Sequence, residues 1–404
     1  MARIVMKFGG TSVADLERIK NVAQLVKAEA DKGHEIAVVV SAMAGVTNQL
    51  ADYCQSLSPM FDAREYDAVV STGENVTAAL TAIALQNLGV EARSWQGWQA
   101  PIKTDGEHGK ARIQSIEGQT LIARLQAGQI PVLAGFQGVG PDGRITTLGR
   151  GGSDTSAVAL AASIKADRCD IYTDVDGIYT TDPRIVPNAR KLNKISYEEM
   201  LELASVGAKV LQTRSVEQAM KERVRVQVLS SFANAPGSLL VDEDEIVKRE
   251  IVAGIAYSRD ETKVTVRGVP DHPGTAAAVF VPLSDANINV DMIVQNVSAD
   301  GMTDMTFTVS KIDAPRALQT LAQAKDKIGY ETIISDQNVA KISVVGVGMR
   351  SHAGVAGTMF KTLAERNINI QAIATSEIKI SVLVAAEYTE LAVRALHTAY
   401  DLDA

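Results

Sequence analysis

Residues 4–12, Ile4-Val5-Met6-Lys7-Phe8-Gly9-Gly10-Thr11-Ser12, run a short apolar strand into a glycine pair and then into a helical pattern from Val13 to Ala30. Glycines at such a junction let backbone N–H groups approach an anion, and the helix N-terminus that follows adds a favourable dipole. Lys7 would add a full positive charge. The lysine precedes the glycines and GxxxxGK[ST] is absent, so this is not a Walker A loop. The same residues also suit an ordinary strand-to-helix turn with an exposed lysine, and the segment alone does not separate the two readings.

Outward from this junction, strand and helix signals alternate. Ile36-Ala37-Val38-Val39-Val40 is continuously apolar, as in a sheet covered on both faces. A helical stretch from Asn75 to Leu88 follows, then the strand Ile130-Pro131-Val132-Leu133-Ala134. A helix from Asp154 to Ala162 leads to Asp170-Ile171-Tyr172. This order predicts an α/β domain with a mainly parallel central sheet. Near residues 233–250 the texture changes to a turn, Asn234-Ala235-Pro236-Gly237, and an acidic run, Asp242-Glu243-Asp244-Glu245. The domain boundary is placed there, giving a first domain over 1–245.

Beyond it lies an internal repeat. Residues 265–289, TVRGVPDHPGTAAAVFVPLSDANIN, align with 343–369, SVVGVGMRSHAGVAGTMFKTLAERNIN, matching Gly274 to Gly354, Phe280 to Phe360 and Asn287-Ile288-Asn289 to Asn367-Ile368-Asn369. Each copy reads strand, glycine turn, helix, strand, strand, helix. The first closes with a fourth strand, Tyr330 to Ser335. The second has no room for one, so Ile251 to Tyr257 is expected to supply it. The first module (262–336) is then inserted within the second (250–261 and 337–404).

Composition excludes several classes. A chain of 404 residues, 46% hydrophobic, exceeds one core and is not disordered. Cys54 and Cys169 are too few and too far apart for a disulfide framework or metal knuckle. A net charge of −8 without a basic run argues against nucleic acid or an anionic membrane as partner. The N-terminus lacks signal-peptide character, and no apolar run approaches the about 18 residues a membrane helix needs, so a cytoplasmic protein is expected.

Two further segments carry chemistry. In Thr146-Thr147-Leu148-Gly149-Arg150-Gly151-Gly152-Ser153-Asp154-Thr155-Ser156, an N-cap accounts for Ser153 or Asp154. It does not account for an arginine between glycines, where a flexible backbone could wrap a carboxylate that arginine grips bidentately. Residues 172–184, YTDVDGIYTTDPR, follow an apolar strand, at the end where α/β proteins place ligands, although Asp-Gly and Asp-Pro also simply make turns. Gly138-Val139-Gly140-Pro141-Asp142-Gly143 matches GxGxxG, but Pro141 and the Asp-Gly pair predict a turn rather than a dinucleotide site. The five histidines lack ligand spacing, Glu198 and Glu199 are expected to face solvent, and Trp95 and Trp98 to pack.

Together KFGGTSV, SAMAGVTN (41–48), STGE (71–74), TLGRGGSDTSA (147–157) and TDVDGIYTTDPR (173–184) closely resemble the aspartokinases of the amino acid kinase family, and the repeat resembles their paired ACT domains. Length and ACT sequences look most like the monofunctional short form. The resemblance implies an amino acid kinase fold followed by two ferredoxin-like βαββαβ ACT domains. It implies phosphoryl transfer from ATP to the β-carboxylate of L-aspartate, giving 4-phospho-L-aspartate at the head of lysine, threonine and methionine biosynthesis. By the same resemblance Lys7 stabilises the transferring phosphoryl, the amides of Gly9 and Gly10 cradle phosphate, and Asp154 orients Lys7 or the metal. Arg150 clamps the α-carboxylate, Glu74 receives the α-ammonium, and Ser41, Ala42, Thr47, Phe136, Gly151 and Ser153 complete the aspartate pocket. Thr173, Asp174, Tyr179, Asp182, Arg184 and Lys209 match nucleotide-site positions. Mg2+ is expected mainly on phosphates and water, without a protein cage.

For the ACT pair the resemblance implies lysine and threonine as inhibitors, with Asp271, Gly274, Asp291, Gln295, Ser298, Asn369 and Ile370 at the effector interface. It also implies a homo-oligomer, with a shorter subunit made from the C-terminal half as a further form. Two rivals remain at this stage. One is an enzyme of the same fold acting on another acyl group, such as a glutamate or acetylglutamate kinase. The other is a non-catalytic amino-acid sensor, against which Lys7, Glu74, Arg150 and Asp154 speak.

Overall fold

The computed structural model describes residues 1–208, 210–246, 250–297, 301–352 and 354–403. The chain divides into two compact units. The first comprises Met1–Ile178, Lys191–Ala204 and Lys209–Val247; the second comprises Tyr179–Arg190, Ser205–Ala208 and Lys248–Ala404.

The first unit is built on an eight-stranded sheet. Its strands run in the order Lys194–Ser196, Ser238–Val241, Val226–Ser230, Arg168–Thr173, Arg3–Phe8, Glu35–Val40, Ile130–Ala134, Ala92–Trp95. Every neighbouring pair is parallel except Val226–Ser230 against Ser238–Val241. The apolar runs seen in the sequence are its central strands, and from Ile4 to Phe8 and Ile36 to Val40 they are buried throughout. Helices Leu16–Ala30 and Thr72–Asn87 pack against one face through Ile19, Val22, Val26, Ala78, Ala82 and Leu85. The chain leaves Arg3–Phe8 towards Glu35–Val40 and later returns to its other side as Arg168–Thr173. The crevice beyond Phe8 is therefore a topological switch point, where open α/β sheets bind ligands. A small sheet, Ile113–Ile116, Ile102–Thr104, Gln137–Val139, Ile145–Thr147, flanks it, and the GxGxxG segment is the turn of its last hairpin, as expected.

Some local expectations shift. The first helix is preceded by a 3-10 turn, Gly10–Val13, and starts at Leu16, where Asp15 caps it by accepting from the Arg18 N–H at 2.8 Å. The next long helix begins at Thr72, not Asn75. With Ala63–Val70 it makes a stretch long and apolar enough to cross a membrane by length and composition, but half of it is buried inside the unit. Glu199 does not face solvent. It is buried and accepts from the Ser196 hydroxyl at 3.0 Å, while its own N–H donates back to that oxygen at 3.2 Å, a reciprocal cap for helix Tyr197–Ser205. Glu198 is half-buried. Trp98, expected to pack, is exposed.

The second unit is a six-stranded antiparallel sheet in the order Asp291–Val297, Met302–Val309, Gly254–Pro270, Thr332–Val345, Lys379–Ala385, Ala372–Thr375. Its two central strands are long because each serves both repeats. Gly254 to Ser258 pairs with Val345 to Lys341, supplying the strand the second copy lacks, and Lys263 to Arg267 pairs with Asp336 to Thr332 in the first. Repeat identity has a backbone cause. Gly274 and Gly354 precede their helices at φ 101° and 102°, and Asn287 and Asn367 follow them at φ 53° and 55°. Left-handed conformation favours glycine and asparagine. The following Ile288 and Ile368 are each 4% exposed and close each helix end over its core.

Candidate active site

At the carboxyl ends of the central strands lies a cavity of about 590 Å3. Lys7 reaches it from the strand Arg3–Phe8, and its Nζ lies 2.5 Å from Asp154 Oδ1, with both side chains nearly buried. Asp154 sits in the first turn of helix Gly152–Ser163, where a negative charge suits the helix dipole. That helix is seated closely on the sheet, since a Cβ on Gly135 would meet Ser153 Cβ at 2.8 Å. Gly151 begins it at φ 70°, and a Cβ there would lie 2.1 Å from the Gln212 side chain. Glycine is required at both positions.

The opposite wall comes from helix Thr72–Asn87 and the segment after Glu35–Val40. Glu74 is 3% exposed; its Oε1 accepts from the Ala42 N–H at 3.0 Å, and its Oε2 is buried without a hydrogen-bond partner among the described residues. Burial pushes its carboxyl up to about 7, against the opposing pull of the Ala42 N–H and the Lys7 charge. Arg150 is exposed to the cavity and forms no ion pair among the described residues. Phe136 holds φ 68°, an uncommon conformation for a bulky side chain, with its N–H on Ser156 Oγ at 3.2 Å and its carbonyl on the Leu148 N–H at 2.9 Å.

Lys7, Ser41, Ala42, Thr47, Glu74, Phe136, Arg150, Gly151, Ser153 and Asp154 thus surround one cavity. Gly10 lines it too, whereas the Gly9 N–H, expected to face a phosphate, donates to the Tyr172 carbonyl at 3.2 Å. Thr173 and Asp174 lie at the end of the adjoining strand Arg168–Thr173, where Thr173 Oγ1 donates to Asp174 Oδ1 at 3.0 Å. They are not among the cavity-lining residues. Tyr179, Asp182 and Arg184 group with the second unit. The Ile255 N–H donates to the Thr180 carbonyl at 2.7 Å, Asp182 takes Arg184 Nη2 at 2.8 Å and Tyr257 Oη at 3.3 Å, and the Arg184 side chain is largely exposed. Lys209 and Ser298 lie outside the described residues. Cavity residues that sequence reasoning passed over include Met43, Tyr66, Gly109 and Thr147. Thr147 stood inside a quoted motif, whereas Tyr66 and Gly109 carried no pattern.

In the second unit, Asp291 Oδ2 lies 2.7 Å from Lys341 Nζ, which also holds Glu261 at 2.8 Å. Burial raises the Asp291 carboxyl, but the Lys341 hydrogen bond and charge outweigh it and leave it below its ordinary value. Gln295 and Asn369 are exposed, Ile370 is half-buried against the second module's core, and the Asp271 N–H donates to the Gly301 carbonyl at 2.8 Å. Met292 packs against Ala372 and Ala374, so the sheet's two edge strands meet there. That juxtaposition brings the Asp291–Gln295 strand beside the strand that follows Asn369 and Ile370.

The model of the amino acid kinase family matches residues 2–230, and models of the ACT domain match 264–326 and 342–400. An aspartate kinase of Stutzerimonas stutzeri is 57% identical over 100% of this chain and 98% of its own length; an aspartokinase of Mycobacterium tuberculosis is 47% identical over 100% and 97%. Among solved structures, E. coli aspartokinase III in complex with aspartate and ADP (R-state) superposes with a TM-score of 0.83 at 27% identity, covering 98% of this chain and 99% of that one. The same enzyme in complex with lysine and aspartate (T-state) gives 0.77 at 27% identity, covering 98% of each. From a cavity holding Lys7, Glu74, Arg150 and Asp154 at the strand ends, a doubled ACT sheet and full-length similarity, it follows that this chain belongs to the aspartokinases of the amino acid kinase family.

Proposed function

We propose that this chain transfers the γ-phosphoryl group of ATP to the β-carboxylate of L-aspartate, forming 4-phospho-L-aspartate, the entry reaction to lysine, threonine and methionine synthesis. The observation that carries the reading is the pairing of chemistries in one cavity. A buried carboxyl atom without a partner among the described residues, Glu74 Oε2, suits an ammonium, and a guanidinium without an ion pair among them, Arg150, suits a carboxylate. An α-amino acid presents both.

Held by these groups, aspartate projects its side-chain carboxylate, which is ionised at neutral pH and needs no general base. One of its oxygens bonds to the γ-phosphorus as the bond to the bridging oxygen breaks, and ADP leaves with the electron pair. Lys7 neutralises charge on the transferring group, Asp154 keeps the ammonium aimed, and Gly10 allows close backbone approach. Thr173 and Asp174 serve the nucleotide side. Mg2+ arrives on the nucleotide as part of the substrate.

Control by lysine and threonine through the ACT pair is the second part of the proposal. The neighbouring edge strands bearing Asp291 and Gln295, and following Asn369 and Ile370, support an effector site there, with inhibition requiring tighter effector binding to a less active arrangement. The decisive assay is ATP-dependent acyl phosphate formation trapped with hydroxylamine, run with aspartate and with glutamate. Activity with glutamate alone rejects the substrate assignment. Titrating lysine and threonine singly and together tests the control.

A further inference from the structure

We propose that Asp67 is a positioning residue for the amino-acid acceptor, tying the helix that leads to Glu74 to the loop that bears Arg150 and so fixing the separation of those two groups. The inference rests on the proposed function, in which Glu74 and Arg150 grip the two ends of the α-amino acid head.

Asp67 lies on helix Ala63–Val70 and is 0% exposed. Burying a carboxylate is costly unless its oxygens are fully bonded, and no lysine or arginine pairs with this one among the described residues. It is matched instead by donors from two loops. Oδ1 takes the Thr147 hydroxyl at 2.5 Å and the Gly109 N–H at 3.1 Å; Oδ2 takes the Thr147 N–H at 3.1 Å, shares the Gly109 N–H at 3.1 Å, and lies 2.7 Å from His108 Nδ1.

Each partner leads into the cavity wall. Thr147 ends the strand Ile145–Thr147, and Arg150 follows three residues on. The Thr147 carbonyl accepts from the Ala111 N–H at 2.9 Å, and a Cβ on Gly149 would lie 3.1 Å from the Gly109 carbonyl, so the two loops touch along their backbones. Gly109, Thr147 and Gly149 all line the cavity. On the other side, the Asp67 carbonyl accepts from the Ser71 N–H at 3.1 Å, where the Glu74 helix begins. Gln137 secures the same corner, with Nε2 on the Ser71 carbonyl at 3.0 Å and on Asn75 Oδ1 at 2.9 Å. Asp67 is therefore the joint between both halves of the acceptor grip. A displacement there moves Arg150 relative to Glu74 while leaving Lys7, on the strand Arg3–Phe8, in place.

The test uses the full chain and steady-state kinetics in both substrates. Asp67→Asn is expected to raise the KM for aspartate about tenfold or more while holding the KM for ATP within about twofold, because misplacement of one grip weakens acceptor binding selectively. In an Arg150→Ala background the same change is expected to add less than about twofold, since its effect runs through Arg150. Thr147→Val is expected to shift the aspartate KM in the same direction, and Thr147→Ser to retain wild-type behaviour. An unchanged aspartate KM, an equal rise in both KM values, or a full effect retained without Arg150 overturns the proposal. Should Asp67→Asn fail to fold, equality of Thr147→Val and Thr147→Ser overturns it. A wild-type chain inactive with aspartate refutes the function itself, and the joint with it; an active wild type indifferent to these changes refutes the joint alone.

Discussion

Replacing Glu74 by Gln is expected to do two opposite things, both traceable to one buried carboxyl. Its folded-state value is about 7 against an ordinary 4.5, with burial as the main cause. Folded protein therefore binds the proton more tightly than unfolded protein does, so stability falls as pH rises from about 4.5 to about 7, and the loss is complete above that. The difference corresponds to on the order of 3 kcal/mol. Glu74→Gln removes this cost at pH 8, and its melting temperature is expected to rise by several degrees. Acceptor binding moves the other way. Only the ionised carboxyl pairs with an ammonium, so at about pH 6 roughly a tenth of the free enzyme is competent, and the KM for aspartate is expected to stand about tenfold above its alkaline plateau. Aspartate itself does not titrate in this window, and the terminal phosphate of ATP, which does, is controlled for by saturating nucleotide and by the variant. Glu74→Gln is expected to raise the KM at pH 8 by about ten- to a hundredfold, the worth of a charge-assisted bond, and to abolish its pH slope. A wild-type aspartate KM that is flat from about pH 6 to 8, or a variant that melts below wild type at pH 8, refutes the reasoning.

Lys7→Ala is expected to lower kcat by about a hundred- to a thousandfold, as loss of one preorganised charge does, while leaving binding of free lysine by the second unit, where the proposed control holds, unchanged; retained turnover contradicts its role. Gly135→Ala drives a Cβ to 2.8 Å from Ser153 Cβ, so overpacking of about 1–3 kcal/mol is expected, read as a lower melting temperature in calorimetry. His397 is fully buried, with Nε2 2.8 Å from Thr180 Oγ1, and burial lowers its pKa below 6.5 despite the nearby Asp403. Its folded form resists protonation, so wild-type stability is expected to fall as pH drops below about 6.5, and His397→Gln to flatten that decline in a pH series of melts.

Sequence made the architecture legible where burial is continuous or periodic. Ile36 to Val40 could only be an interior strand, and it is buried throughout. The repeat revealed itself because φ-positive turns demand the same glycine and asparagine twice. Legibility failed where polar residues are buried for function. The helix expected from Asn75 starts earlier, at Thr72, because burial of Gly73 and Glu74 outweighs the poor helix propensity of glycine. The bond from the Gly9 N–H to the Tyr172 carbonyl, which continues the pairing of two central strands past Phe8, leaves no mark in the sequence. Residues 173–184 form one stretch in the sequence, and nothing in their composition announces that the Ile255 N–H bonds the Thr180 carbonyl and the Thr180 N–H bonds the Arg190 carbonyl, which groups Thr180 with the second unit. Asp67 gave no signal at all, since its five bonds come from residues 41 to 80 positions away.

The charges of the cavity explain why such a site selects a zwitterion. Lys7 and Asp154 neutralise each other at 2.5 Å and add little net field for a neutral visitor. Glu74 and Arg150 are different: among the described residues, one is a buried carboxyl with an oxygen left without a partner, the other a guanidinium without an ion pair. An amine alone would satisfy Glu74 and leave Arg150 unmet; a simple dicarboxylate would do the reverse and bring a second anion towards Glu74. Only a molecule carrying both signs a few bonds apart relieves both at once, and where Glu74 is protonated its proton must first leave, which weakens the grip as pH falls. Succinate and aspartate differ by that one ammonium. In the hydroxylamine assay succinate is expected to be a feeble acceptor in wild type, and Glu74→Gln to narrow the gap between the two by weakening aspartate alone.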